Sequence, residues 1–393
     1  MRITNILISI GLWIVRILGW LLLALCVFII WAAFLSTSNE GQLIAQLLFT
    51  AFALHITLIT AISTGMALRQ YLKRKSATAA GATLISGATT ALGLYLIAGF
   101  IGVANAQHVP VHFLEALAPQ FTTKAGADEA AVYDTYQGEN ASLYVFKPPQ
   151  HASAQRPPVF VYVHGGGYTG GAANWRAPDM RWFANQGYLV IGVDYALSSA
   201  TRHMWDVTQP QVGCALAWLS RNADRLGADV NRIVLFGDSA GGNIVLNVAS
   251  LARNGKLASH CGGAVPSVAA TIALYPPMDL TNLYARVSTR NLLDAYLGGS
   301  PEQYPERYTS LSPNRAANLP TPPALLMLGE TDSTVPPADG VKYVAQLRAA
   351  HNSAELVTIP HGGHGFDLGT GAIGNQIMRE RSLAFLRAHQ LSP

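Results

Sequence analysis

The stretch RIVLFGDSAGG, residues 232–242, decides the fold. Its first half is a short apolar run ending on a glycine, the mark of a parallel strand covered on both faces. From Ala240 to Arg253 the pattern turns helical. The junction contains G-x-S-x-G, with Ser239 between Gly237 and Gly241. A sharp strand-to-helix turn forces such a serine into a strained conformation and lifts its hydroxyl above the sheet. The flanking glycines are needed because side chains there would collide with neighbouring backbone. The helix that starts just beyond favours negative charge developing at the same point.

Similar runs lie on either side. SLYVFK (142–147), VFVYVH (159–164), YLVIGVD (188–194), TIALY (271–275), ALLMLG (324–329) and ELVTI (355–359) read as strands. Helical patterns fall between or after them at Asp206–Leu226, Gly340–His351 and Gln376–His389. This alternation predicts a doubly wound α/β fold with a mostly parallel sheet. In such a sheet, ligands bind at the carboxyl ends of the strands.

Three further motifs occupy strand ends. VHGGGY (Val163–Tyr168) has three consecutive glycines that free the backbone to turn its N–H groups towards one point. Gly166 and Gly167, with Ala240 after the serine, are candidate donors to the oxyanion of a tetrahedral intermediate. The pattern is neither of the usual phosphate-binding ones, and His164 is expected to be a structural hydrogen-bonder beneath the loop. LGETDSTVPP (Leu328–Pro337) offers Glu330 and Asp332. Asp332, further into the loop, is the better placed to orient a histidine, with Glu330 as runner-up. IPHGGHGFDL (Ile359–Leu368) carries His361 and His364 among glycines, a non-helical setting that does not suit a metal pair. His364 is the expected base and His361 a bystander that shapes the loop. No cofactor or metal motif is present in the sequence.

Together HGGG, GDSAGG, the Asp332 loop and HGF resemble the hormone-sensitive-lipase-like branch of the α/β-hydrolases, a family of carboxylesterases and lipases. The resemblance covers about Ala141 to His389. It implies Ser239 as nucleophile, Asp332 as acid and His364 as base, in the chain order of that fold, with Gly166, Gly167 and Ala240 as the oxyanion hole. DYAL (Asp194–Leu197) lacks the arginine of the family's DYRL, and DSTVPP in the acid loop looks more like glycan-esterase and prolyl-peptidase relatives. The implied activity is cleavage of carboxylic esters, with short acyl or acetyl groups, glycan-borne ones included, as the expected substrates. An amidase, peptidase or acyltransferase could use the same residues. An inert binding domain would be expected to have lost a triad member, and none is missing.

The first third has another character. Charged residues make up only 12% of the chain, against about 25% in ordinary globular proteins, and the deficit lies between Asn5 and Ala104. Three apolar segments, 17–35, 42–68 and 79–104, are each long enough to cross a hydrocarbon core of about 30 Å. None shows the amphipathic stripe of a buried soluble helix. The chain therefore divides into a membrane anchor, 1–106, and a catalytic domain, 107–393, with a cap segment at 279–320. Its tyrosines, Tyr284, Tyr296, Tyr304 and Tyr308, are expected to be core and surface residues rather than the lining of a cleft. Arg2, Arg16 and the RQYLKRK loop (Arg69–Lys75) are basic, whereas the loop STSNEG (Ser36–Gly41) has no basic residue. The positive-inside tendency places the N-terminus in the cytoplasm and the catalytic domain outside it. The sequence ANA (Ala104–Ala106) imitates a cleavage site, but the preceding apolar run is too long for a signal core and a retained third span is expected. The expected partners are the bilayer and an ester substrate. A net charge of +4 with no basic stripe argues against nucleic acid. An oxidising compartment would permit Cys214 and Cys261 to pair.

Overall fold

The computed structural model describes residues 2–35, 40–118, 125–149 and 155–393. Three long helices come first, α1 (Arg2–Phe34), α2 (Glu40–Arg74) and α3 (Ala77–Ala106). Each carries a window apolar enough to cross a membrane, at Ile17–Phe34, Gly41–Arg74 and Ala77–Ala106. The loop expected at 36–41 lies largely outside the described residues. Several hydroxyls in these helices are satisfied locally: Thr60, Thr64, Thr83, Ser86, Thr89 and Thr90 each donate to a carbonyl three or four residues back. Small residues bring the helices close, with Thr57 of α2 and Ile30 of α1 both against Gly93 of α3. The Trp31 indole N–H donates to Thr89 across the α1–α3 contact.

A single helical turn, α4 (Phe113–Ala116), precedes the antiparallel pair β1 (Glu129–Tyr136) and β2 (Glu139–Phe146). Alternation then begins with β3 (Pro158–Val163), α5 (Ala177–Asn185), β4 (Leu189–Val193), α6 (Thr208–Arg221), α7 (Ala223–Leu226), β5 (Asp229–Asp238), α8 (Ala240–Arg253) and β6 (Ala270–Leu274). Short helices α9 (Leu280–Tyr284), α10 (Val287–Leu297) and α11 (Pro305–Ser310) fill the segment before β7 (Ala324–Gly329). The chain continues through α12 (Pro337–Ala349), β8 (Ala354–Ile359) and α13 (Ile373–Ala388).

All eight strands form one sheet in the order β1-β2-β4-β3-β5-β6-β7-β8. β1 and β2 are antiparallel, as is the β2–β4 pair, and the remaining pairs are parallel. β1 is absent from the expected strands because EAAVYDTY interleaves acidic and exposed positions, as an edge strand does. The single helix expected over 206–226 is two, broken at Asn222.

The sheet is covered on both faces. Val159, Val161, Val163, Ile233 and Leu235 pack with Val212 and Leu216 of α6 and Ile244 and Val248 of α8. Their neighbours Phe160, Tyr162, Val234 and Phe236 face Phe183 of α5 and Ile377 and Phe385 of α13. Phe49 of α2 and Phe100 of α3 belong to this second core, so the apolar helices continue the packing of the sheet domain. Tyr296 and Tyr308 of the 279–320 segment are buried, as expected of core residues, and Tyr304 is on the surface.

Candidate active site

Ser239 sits on the turn between β5 and α8 with φ 51° and ψ −121°. Such backbone costs a non-glycine residue about 1–3 kcal/mol and persists only where the surroundings impose it. Here the Ser239 N–H donates to the Leu274 carbonyl at 2.9 Å. A Cβ on Gly241 would run into the Val163 carbonyl oxygen, so glycine alone lets α8 approach β3.

Asp332 follows β7 and His364 follows β8, and the two loops meet over the serine. His364 Nε2 lies 2.9 Å from Ser239 Oγ, and His364 Nδ1 lies 2.8 Å from Asp332 Oδ2. With Nδ1–H donating to the carboxylate, Nε2 is left to accept the serine proton. The other oxygen of Asp332 accepts the Thr334 and Val335 N–H groups, each at 2.8 Å, which fixes the carboxylate. Burial opposes a charge on His364, but the Asp332 charge and hydrogen bond, with Asp238 and Asp367 beyond, raise its pKa above 6.5. Glu330 instead accepts a hydrogen bond from Thr358 on the surface, away from the histidine. His361 has φ 61° and its ring packs at a tilt against Tyr95 of α3, 4.7 Å between ring centres.

Gly166 (φ 115°) and Gly167 (φ 62°) line the same cavity as Ser239 and His364. A Cβ on Gly166 would strike the Gly170 carbonyl. Ala240 is the first residue of α8, at the positive end of the helix. His164 is buried below the glycines, with Nδ1 2.7 Å from the Gly165 carbonyl oxygen and its ring stacked on Tyr195. Burial lowers its pKa, against the hydrogen bond to Gly165.

Sequence reasoning missed a group that ties these loops together. Arg176 lies 2.7 Å from Asp367, 3.3 Å from Asp179 and 3.5 Å from Asp238, and donates to Tyr275 Oη at 3.0 Å. Asp238 precedes the serine and Asp367 follows the histidine, so one guanidinium braces both. Burial disfavours the Arg176 charge, yet Asp367, Tyr275 and Asp238 push its pKa up. The acidic residues flanking Ser239 and His364 in the motifs were the available signal that a buried cation is needed.

The cavity above Ser239 has a volume of about 610 Å³. Its walls are largely apolar and include Trp175, Leu292 of α10 and Leu368. Leu43 and Leu47 of α2 also line it, a contribution that no motif indicates. Elsewhere, Cys214 and Cys261 form a disulfide. Asp134 and His260 stand beside it, 3.0 Å apart. With the two sulfurs bonded to each other, neither is a thiolate available to a metal.

A protein-family model described as BD-FAE matches residues 143–347. Among curated proteins, "Carboxylesterase NlhH" of Mycobacterium tuberculosis is 34% identical over 223 residues, covering 53% of this chain and 66% of the relative. "Esterase LipC" of the same species is 28% identical over 229 residues, covering 55% of this chain and 54% of the relative. The chain thus spans two thirds or less of the length of these relatives. A thermophilic esterase of Thermogutta terrifontis, solved with propionate bound, superposes with a TM-score of 0.58 at 23% identity, covering 68% of this chain and 97% of that one. That likeness supports the α/β-hydrolase fold.

Proposed function

The chain belongs to the BD-FAE family of α/β-hydrolases, and from that premise we propose that it is a membrane-anchored serine hydrolase cleaving carboxylic esters of short acyl chains, acetyl included. The observation that carries this reading is the hydrogen-bonded series from Ser239 through His364 to Asp332 at the floor of an apolar cavity.

In the proposed reaction Ser239 Oγ attacks the ester carbonyl carbon while His364 Nε2 takes its proton. The carbonyl π bond opens, and the resulting oxyanion accepts N–H groups of Gly166, Gly167 and Ala240. One such donor is worth about 3 kcal/mol of transition-state stabilisation. The intermediate collapses, His364 returns the proton to the leaving alcohol, and the acyl group stays on Ser239. Water, deprotonated by His364, then attacks the acyl-enzyme, and release of the acid regenerates the serine. Asp332 holds the imidazole tautomer and offsets the charge of the imidazolium. The named activities of the mycobacterial relatives support ester cleavage in this chain.

We place the N-terminus in the cytoplasm, the helices 1–106 in the bilayer as a retained anchor, and the domain 107–393 outside the cytoplasm. The basic residues at 69–75 support this orientation. So does the Cys214–Cys261 disulfide, because such bonds persist in oxidising compartments.

The test is hydrolysis of p-nitrophenyl butyrate by the full-length protein in detergent. Ser239→Ala should lower turnover by several orders of magnitude with the unfolding temperature retained. Full activity in that variant would sink the assignment. A reporter fused after Ala388 that is active only in the cytoplasm would refute the orientation.

A further inference from the structure

Helix α2 is longer than a membrane requires. At 1.5 Å per residue its 35 residues extend about 52 Å, against a hydrocarbon core of about 30 Å. Phe52 divides it, with φ −124° and ψ 23° interrupting the helical backbone. The stretch from Ala53 to Arg74 is about 33 Å long and suffices for the crossing. The neighbouring α1 ends near the level of this kink. Ile30 of α1 and Thr57 of α2 meet at Gly93 of α3, so α1 ends at Phe34 near the height of the kink. On the proposed topology the part of α2 from Glu40 to Ala51 is then the outer end of the helix, and it lies beside the sheet domain.

That outer arm touches the catalytic loops directly. The Gln46 side chain is buried, and its amide is used at both ends. Nε2 donates to the Thr331 carbonyl at 2.8 Å, and Oε1 accepts from Ser333 Oγ at 3.3 Å. Those residues flank Asp332. The backbone of Gly363, next to His364, packs on the Gln46 side chain, and Gly365 packs on Leu47. Leu43 and Leu47, one turn apart on the arm, line the cavity together with Leu292. Removing the arm would leave the acid loop without its clamp and the cavity without one side.

We propose that the outer arm of α2 is part of the substrate site, with Leu43 and Leu47 forming the wall against which the alkyl part of acyl groups longer than acetyl rests, and with Gln46 as a positioning residue for the Asp332 loop. This rests on the serine-hydrolase reading and specifies its substrate class. A wall of two leucines gains from each methylene that leaves water, up to about fourfold in affinity per methylene seated. An acetyl group is too short to collect that gain. Because Gln46 touches the loop and not the substrate, its loss acts on the orientation of Asp332 and through it on His364.

The experiment uses the full-length protein in lipid nanodiscs and p-nitrophenyl esters from acetyl to dodecanoyl. For the wild type, kcat/KM should rise from acetyl to hexanoyl by at least about tenfold. Leu43→Trp and Leu47→Trp should each lower the ratio of kcat/KM for octanoate to kcat/KM for acetate by about tenfold or more. Gln46→Met should lower kcat with KM within about twofold and move the acidic limb of the pH–rate profile to lower pH, a shift that a merely structural role would not produce. Should Gln46→Met fail to fold, the two leucine variants still decide the proposal. A wild-type series that is flat or falls after acetate overturns it, as do leucine variants whose chain-length series superimpose on the wild type. Those outcomes leave the underlying reading intact provided Ser239→Ala is inactive. If Ser239→Ala matches the wild type on every ester, it is the serine-hydrolase reading that fails.

Discussion

Replacing Arg176 by methionine is predicted to destabilise the protein in a way that depends on pH. Arg176 is 13% exposed and faces three carboxylates, but they do not depend on it equally. Asp179 keeps Arg379 at 2.9 Å. Asp238 keeps the Tyr162 hydroxyl at 2.9 Å and the Gly165 N–H. Asp367, fully buried, is left with the Tyr275 hydroxyl at 2.8 Å and no cation. Breaking a buried pair in this way costs about 3–5 kcal/mol. The upper end is set by the alternative open to the carboxylate, which is to take up a proton. Protonating an ordinary aspartate, with a pKa of about 3.9, costs about 4 kcal/mol at pH 7 and about 1.5 kcal/mol at pH 5. The variant should therefore lose about 3–4 kcal/mol at pH 7 and about 1.5 kcal/mol at pH 5. At about 2–4 °C per kcal/mol for a domain of 150–250 residues, that is a fall in Tm of about 6–16 °C at the higher pH and less than half as much at the lower. Thermal unfolding in detergent at the two pH values measures it. Adding Asp367→Asn to Arg176→Met removes the charge that lost its partner and should restore most of the loss at pH 7. Equal losses at both pH values, or no restoration in the double variant, would refute the argument.

The other predictions are more direct. Because the raised pKa of His364 lies above 6.5 and the base works unprotonated, kcat/KM should fall as pH drops through a midpoint above 6.5. For stability the sign is reversed: the contribution from protonated His364 is complete below about pH 6.5 and is lost as pH rises through the folded pKa. Asp332→Asn should move the acidic limb of the rate profile to lower pH, and an unmoved limb would count against His364 as the base. His364→Ala should cost several orders of magnitude in turnover and His361→Ala less than about tenfold, since His361 meets Tyr95 and not the serine; equal losses would reverse the two roles. Reducing the Cys214–Cys261 disulfide, or replacing Cys214 by serine, opens a loop of 47 residues and should lower stability by about 2–4 kcal/mol. An unchanged denaturation midpoint under reductant would show that the bond contributes nothing.

What could be read from the sequence follows from how locally each requirement is written. The serine turn, the triple glycine and the HGF loop each need particular residues within a few positions, because backbone must turn sharply at a strand end. A parallel sheet announces itself by continuous apolar runs, which is why β3 to β8 stood out and β1, an edge strand carrying Glu129 and Asp134, did not. The acidic residues beside Ser239 and His364 call for a cation, but which residue supplies it was hidden for the opposite reason. Asp179 is only three positions on from Arg176, but Asp238, Tyr275 and Asp367 are far along the chain, and no spacing rule links a guanidinium to groups that distant.

The outer arm of α2 is a subtler case. Composition correctly marked the helix as apolar, but an apolar helix can face lipid or protein, and hydropathy does not separate the two. The distinguishing signal is the pair Gln42 and Gln46, one helical turn apart near the outer end of the segment. A glutamine side chain facing hydrocarbon leaves its amide unsatisfied, at a cost of several kcal/mol. Two on the same face would make lipid contact there unfavourable, so that face must meet polar groups of the protein itself. Both are buried, and Gln46 finds its groups 285 residues away on the acid loop. The same placement makes Leu43 and Leu47, each one position further along the helix, available to the cavity. A span predicted at 42–68 is thus divided at Phe52: on the proposed topology the inner part crosses the bilayer, while the outer part packs on the loop that carries Asp332.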